Sequence, residues 1–246
     1  MRNVPIIILP GWLTSTNKYQ PLAHLLAKRG FPAYQVSFPE FESDEPITEA
    51  LHLTDYVKVL QKFLKQKHID KAVFLGHSFG GRVALKYLSQ EPKKALALVL
   101  SGTPGFSNIS KLRFYLMFSI AKLGKYITYI PPWLFFRKSL KKLFYKLVRA
   151  YDYYRADGFL KQTLKNIIDE TLDDYMGKIR LPTLLLWGEK DSLVPVRIAK
   201  RMQKKIKNSK LVIVEGAKHN FIYQAPEIAT QQLTEFIKGL ENRVHI

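Results

Sequence analysis

The chain contains no cysteine. Its absence excludes disulfides, a thiol nucleophile and cysteine-ligated metal, and it suits a cytoplasmic protein. No run of eighteen apolar residues occurs, so no spanning helix is expected. The opening Met1-Arg2-Asn3-Val4-Pro5-Ile6 lacks the longer apolar core and small-residue cleavage site of a secretory signal. Acidic residues are scarce: 20 Asp+Glu against 39 Lys+Arg leave a net charge of +19. That balance favours anionic surfaces or substrates, and it keeps nucleic acid as a rival partner. No internal repeat, low-complexity linker or cluster of metal ligands is present. What remains is 246 residues, 47% hydrophobic and 24% charged, enough for one α/β domain with its own core.

One stretch organises the rest. Gly76-His77-Ser78-Phe79-Gly80-Gly81 follows the apolar run Ala72-Val73-Phe74-Leu75 and precedes a helical pattern through Val83, Ala84, Tyr87 and Leu88. It reads as strand, sharp turn and helix in the pattern G-x-S-x-G. Gly76 and Gly80 leave room for a tight, strained turn at Ser78. Such a turn lifts the hydroxyl out of the sheet and frees the Phe79 N–H for a developing oxyanion. A serine hydroxyl alone is a weak nucleophile, so a base and an acid are required elsewhere.

The remaining chain alternates strands and helices. Val4–Leu9 is a continuous apolar run suited to a buried parallel strand. A helix is expected from about Asn17 to Arg29, stopped by Gly30, and a second strand at Ala33–Ser37. Thr48 is a candidate cap for a helix reaching Gln66, with Leu51, Leu53, Tyr56, Leu60 and Leu64 facing the core. Strands follow at 72–76, 96–100, 181–188 and 211–214, with helices at 196–206 and 226–240. Strands alternating with helices predict right-handed crossovers and a doubly wound, mostly parallel six-stranded sheet.

Asp191 stands just past a strand in Trp187-Gly188-Glu189-Lys190-Asp191, and His219 stands in the loop after the last strand. In an open α/β sheet, loops at that edge converge on one crevice, so Ser78, Asp191 and His219 can meet. His219 would take the Ser78 proton and Asp191 would hold the imidazole. Singly, His219 also suits a surface position and Asp191 a helix cap. The combination is more specific, because three separate positions satisfy one geometry. The other histidines have weaker claims. His77 is read as pointing sideways from the nucleophile in a packing or access role, and His24, His52, His68 and His245 as surface residues.

With the elbow at Ser78, W-G-x-x-D-x-x-x-P at 187–195, and a histidine followed by the helix start Ala225-Pro226-Glu227, the chain resembles the α/β-hydrolase superfamily in its lidded esterase and lipase-like branch. The order Ser, Asp, His matches that superfamily. The resemblance implies the sheet order 2-1-3-4-5-6, lacking the family's first hairpin. It also implies that the backbone N–H of Trp12 joins that of Phe79 as an oxyanion donor. Two departures stand out. Pro10-Gly11 replaces the usual His-Gly, and Pro39-Glu40-Phe41-Glu42 replaces a P-G-x-G turn. Ser101-Gly102-Thr103 offers no carboxylate, which favours Asp191 as the acid. The serine argues against epoxide hydrolases, dehalogenases and dienelactone hydrolases.

The resemblance places a helical lid at residues 105–178, between core segments 1–104 and 179–246. This insert holds sixteen of the 31 aromatics, and its stretch 111–150 has ten basic residues and no acid. Leu140, Leu143, Phe144, Leu147 and Val148 recur at helical spacing among Arg137, Lys138, Lys141, Lys142 and Lys146. Either a lid helix packs its apolar stripe and solvates its basic face, or a basic amphipathic helix touches an anionic membrane surface. No recognised motif supports nucleic acid. The expected activity is a serine carboxylesterase acting on small-molecule esters of apolar acyl or aromatic character, with no cofactor. Lactonase, thioesterase and carbon–carbon bond hydrolase chemistry share the same machinery, and a non-catalytic binding protein of the same fold is the alternative from another class.

Overall fold

The β-branched run near the N-terminus becomes strand β1 (Ile6–Leu9), whose four side chains are all buried. Alternation sends Ile6 and Ile8 to one face and Ile7 and Leu9 to the other, and each pair joins a separate hydrophobic cluster. A strand buried on both faces needs a continuous apolar run, which is why this segment reads as it does. The computed structural model describes residues 3–41, 48–106 and 158–244.

Five further strands complete the sheet: β2 (Ala33–Gln35), β3 (Ala72–His77), β4 (Ala95–Ser101), β5 (Thr183–Gly188) and β6 (Ser209–Val214). The order is 2-1-3-4-5-6, as expected, and every neighbouring pair is parallel. Helices α1 (Gln20–Lys28), α7 (Phe221–Gln224) and α8 (Pro226–Val244) supply one cluster. Helices α2 (Leu53–Gln66), α3 (Phe79–Gln90) and α6 (Val196–Lys205) cover the opposite face. Between β4 and β5 lie α4 (Gly158–Asp169) and α5 (Asp173–Lys178). The amphipathic segment expected at 137–148 lies outside the described residues. Among the described residues, no helix is long and apolar enough to cross a membrane.

Two helix starts differ from expectation, and β1, β5 and β6 begin two residues away from the expected positions. The turn at Thr16–Tyr19 is 3-10 rather than α, with the Ser15 hydroxyl accepting the Asn17 N–H. Helix α2 begins at Leu53, not after Thr48, because the preceding residues are held by α4. The Leu51 N–H donates to Thr163 Oγ1 (2.9 Å), and the Asn166 side chain donates to the Leu51 carbonyl (3.2 Å). The helix therefore starts after His52, whose N–H donates to the Asp55 carboxylate (3.0 Å). Leu51 is consequently half-buried, whereas Leu53, Tyr56, Leu60 and Leu64 enter the core.

Helix α3 lies against β1 with no room to spare. A Cβ on Gly80 would stand 2.1 Å from the Leu9 carbonyl oxygen. Both partners are backbone, so neither can step aside. Gly80→Ala is expected to lower the unfolding free energy by about 1–3 kcal/mol, the usual cost of overpacking, or more if β1 must move. Urea denaturation checks this, and an unchanged midpoint would contradict it.

Candidate active site

Ser78 is the single residue between β3 and α3, with φ 51° and ψ −114°. A non-glycine residue in that region stores about 1–3 kcal/mol of strain, so its surroundings must hold it. They do so through two backbone bonds. The Ser78 N–H donates to the Ser101 carbonyl on β4 (2.8 Å), and the Ser78 carbonyl accepts the Gly81 N–H (3.1 Å). The side chain is half-buried, and its hydroxyl makes no hydrogen bond to another described residue. The Phe79 N–H is the first of α3, where helix geometry provides no internal acceptor.

Asp191 is buried in the loop after β5. Its Oδ1 accepts the N–H groups of Leu193 (3.0 Å) and Val194 (2.8 Å), which aims Oδ2 at His219 Nδ1, 2.8 Å away. With Nδ1 donating to the carboxylate, Nε2 is the basic nitrogen of the ring. Residues beside the pair tie the two loops together. The Lys190 N–H donates to the Ala217 carbonyl (2.8 Å), and the Gly216 N–H donates to the Glu189 carboxylate (2.9 Å). Gly102 forms the shelf beneath them. It has φ +57°, and a Cβ there would lie 2.8 Å from the His219 ring and 3.3 Å from Asp191 Oδ2. The structure thus brings Asp191 and His219 into contact. Ser78 and His219 are not hydrogen-bonded to each other.

Trp12 lies in the loop after β1. Thr14 holds that loop: its N–H donates to the Gly11 carbonyl (3.1 Å) and its hydroxyl to the Trp12 carbonyl (3.2 Å). The Trp12 ring meets Phe79 edge-on at 5.3 Å and Phe41 at 5.6 Å, so both expected oxyanion residues share one aromatic cluster. Glu40, which replaces the glycine of the P-G-x-G turn, keeps a glycine-like φ of 58°. Burial pushes its carboxyl up to about 7, against the opposing effect of a hydrogen bond from Tyr56.

His77 is buried, consistent with a packing role. It touches two residues of interest: Nδ1 lies 2.7 Å from the Tyr19 hydroxyl, and Nε2 lies 3.2 Å from the His219 carbonyl oxygen. Its ring is tilted beside that of His219, with centroids 5.1 Å apart. Sequence reasoning missed Tyr19, Glu189 and Gly102. Only Gly102 carried a local signal, as a glycine at the end of a strand on the site edge. His24, His52 and His68 are exposed as expected. Among the described residues, no group of three or more potential metal ligands occurs.

The family model described as alpha/beta hydrolase fold matches residues 4–127 and 121–226. The chain belongs to the α/β-hydrolase fold family. It is 25% identical to the AB hydrolase superfamily protein YisY of Bacillus subtilis, over 94% of this chain and 91% of that protein. It is 20% identical to Lipase 3 of Moraxella sp., over 96% of this chain and 78% of that one. Among solved structures, an esterase from Exiguobacterium antarcticum superposes with a TM-score of 0.69 at 22% identity, covering 96% of this chain and 92% of its own. That likeness concerns the fold.

His77 also gives the fold a pH dependence. Burial, reinforced by nearby His219, lowers it from 6.5 to about 3. A base whose folded pKa is depressed contributes stability above its unfolded pKa and loses it as pH falls. Between pH 6.5 and about 3 the unfolded chain takes up a proton at this residue that the fold refuses. The unfolding free energy should therefore fall more steeply over that window in the wild type than in His77→Asn. Parallel slopes in denaturation at graded pH would contradict a buried neutral His77.

Proposed function

We propose that this α/β-hydrolase is a serine carboxylic-ester hydrolase. Ser78 attacks the ester carbonyl and forms an acyl-enzyme. His219 takes the Ser78 proton, gives it to the leaving alcohol, then activates water for deacylation. Asp191 orients His219, and the amides of Trp12 and Phe79 hold the oxyanion. The observation that carries the reading is the buried Asp191–His219 contact of 2.8 Å at the sheet edge where the strained Ser78 turn stands. The lipase relative supports it further. Apolar acyl or aromatic esters are the proposed substrate class.

Residues 105–178 are proposed to form the lid. Support comes from their ends. Arg82, on the helix that follows Ser78, donates to the Pro104 carbonyl (2.8 Å) on one side and to the Ile167 and Glu170 carbonyls on the other. Lys86, one turn along, pairs with Glu170 Oε1 at 2.7 Å. Both ends of the insert are therefore moored to the nucleophile helix. Weak contact of its basic stretch with anionic membrane belongs to the same proposal. Lys138, Lys141 and Lys142 changed together to Glu should abolish any vesicle binding and spare hydrolysis of a short soluble ester.

Ser78→Ala is expected to cut hydrolysis of an aryl ester by about 10³-fold or more with the fold intact, and His219→Ala to behave alike. The double variant should lose little more. An organophosphonate should label Ser78 in the wild type. Near-wild-type kcat in Ser78→Ala, or additive losses, would refute the assignment.

A further inference from the structure

Three loops of the site leave three different strands. The Gly11-Trp12 loop follows β1, the Ser78 turn follows β3, and the His219 loop follows β6. Strands β1 and β3 are neighbours, but β4 and β5 separate β3 from β6. A single line of hydrogen bonds joins all three loops. The Gly11 N–H donates to the Tyr19 hydroxyl oxygen (3.0 Å). That oxygen lies 2.7 Å from His77 Nδ1, and His77 Nε2 lies 3.2 Å from the His219 carbonyl oxygen.

The partners determine where each proton sits. A carbonyl only accepts, so the Nε2 side of His77 must carry the N–H. A neutral imidazole then has a bare Nδ1, which accepts. The Tyr19 oxygen already accepts from Gly11, which leaves its hydrogen for Nδ1. The order is Gly11 N–H to Tyr19 O–H to His77 Nε2–H to the His219 carbonyl. The opposite tautomer would set a lone pair of Nε2 against a lone pair of the carbonyl. Burial keeps the phenol protonated and His77 neutral, which preserves this single arrangement. Tyr19 and His77 are 0% and 1% exposed, so solvent does not readily replace a lost link.

The Gly11 end of this line bears on the oxyanion. The Gly11 N–H belongs to the peptide just before the one that carries the Trp12 N–H. Tyr19 pins the first of these peptides, and the Thr14 N–H pins the second through the Gly11 carbonyl (3.1 Å). With both held, the direction of the Trp12 N–H is set before substrate arrives. Preset donors are what make such a site effective, since nothing must reorganise during the reaction.

We propose that Tyr19 is a positioning residue which, through His77, locks the oxyanion loop, the nucleophile turn and the histidine loop in one register. The proposal rests on the ester-hydrolase reading above. The Tyr19 hydroxyl carries the role; its ring has a separate one, packing edge-on against Tyr223 at 5.2 Å. Tyr19→Phe keeps the ring and removes only the links to Gly11 and His77. His77→Gln breaks the Tyr19 link from the other side, while its amide nitrogen can still reach the His219 carbonyl.

The test is steady-state hydrolysis of a short aryl ester, beside the rate at which a fluorophosphonate labels Ser78. Tyr19→Phe should lower kcat about 10- to 100-fold with KM within about twofold, because the lost alignment matters in the transition state. Labelling should slow by a similar factor. His77→Gln should show the same pattern, and the double variant should be no worse than the poorer single one, because both cut one line. If Tyr19→Phe only lowers Tm and keeps kcat and the labelling rate within about twofold, the inference is overturned. A raised KM at unchanged kcat, or additive losses in the double variant, overturns it as well. In each of those cases a wild type that labels at Ser78 leaves the hydrolase reading intact. A wild type that takes up no probe overturns that reading and this inference with it.

Discussion

All six strands point the same way, and their carboxyl ends therefore lie on one edge of the sheet. The candidate chemistry depends on that constraint. Ser78, Asp191 and His219 are far apart in sequence, and each occupies the first loop after a strand that ends at this edge. β3 passes into α3 through the single residue Ser78. The turn leaves Ser78 with an unfavourable backbone conformation. The Ser101 carbonyl and the glycine contact between α3 and β1 hold it there. Strain at one residue is offset by packing spread over several elements, so the geometry is a property of the whole sheet.

Buried polar groups, among them Asp191 and His77, lie around that edge. Asp191 accepts from three donors, and His77 lies between Tyr19 and the His219 backbone. Buried polar groups cost several kcal/mol when unpaired and little when paired, so a satisfied network selects one arrangement of its loops over others. The apolar clusters on the two faces hold the sheet together, whereas these polar contacts set the relative positions of loops the sheet alone would leave loose.

Much of this was legible in the sequence for local reasons. Apolar runs marked the strands, alternation with helical patterns marked the sheet as parallel, and the family resemblance supplied the strand order. The elbow, the acid and the histidine each carried a motif within a few residues of a strand end. What escaped depends on contacts between distant segments. Nothing near Thr48 shows that Thr163 and Asn166 would hold Leu51 and delay the helix to Leu53. Nothing near Tyr19 shows that its hydroxyl would meet Gly11 and His77, because an aromatic residue at a helix start reads as core. His77 was legible as buried packing, but its two partners were not, since they are more than fifty residues away on either side. In the sequence, Ser101-Gly102-Thr103 shows only the lack of a carboxylate, yet the missing side chain of Gly102 is what leaves space for the Asp191–His219 pair.

Arg82 has a consequence for how such a chain can diversify. One buried guanidinium holds the backbone where the insert leaves the core and where it returns. Both exits are thus settled by the folded domain. In a flexible loop, doubling the length costs only about 0.6 kcal/mol. With the exits fixed, a change of length within 107–157 should cost the core little, whereas Thr163 and Asn166 of α4, which hold Leu51, must stay. Arg82 thus marks residues 107–157 as the stretch where new specificity is best grafted without redesigning the sheet.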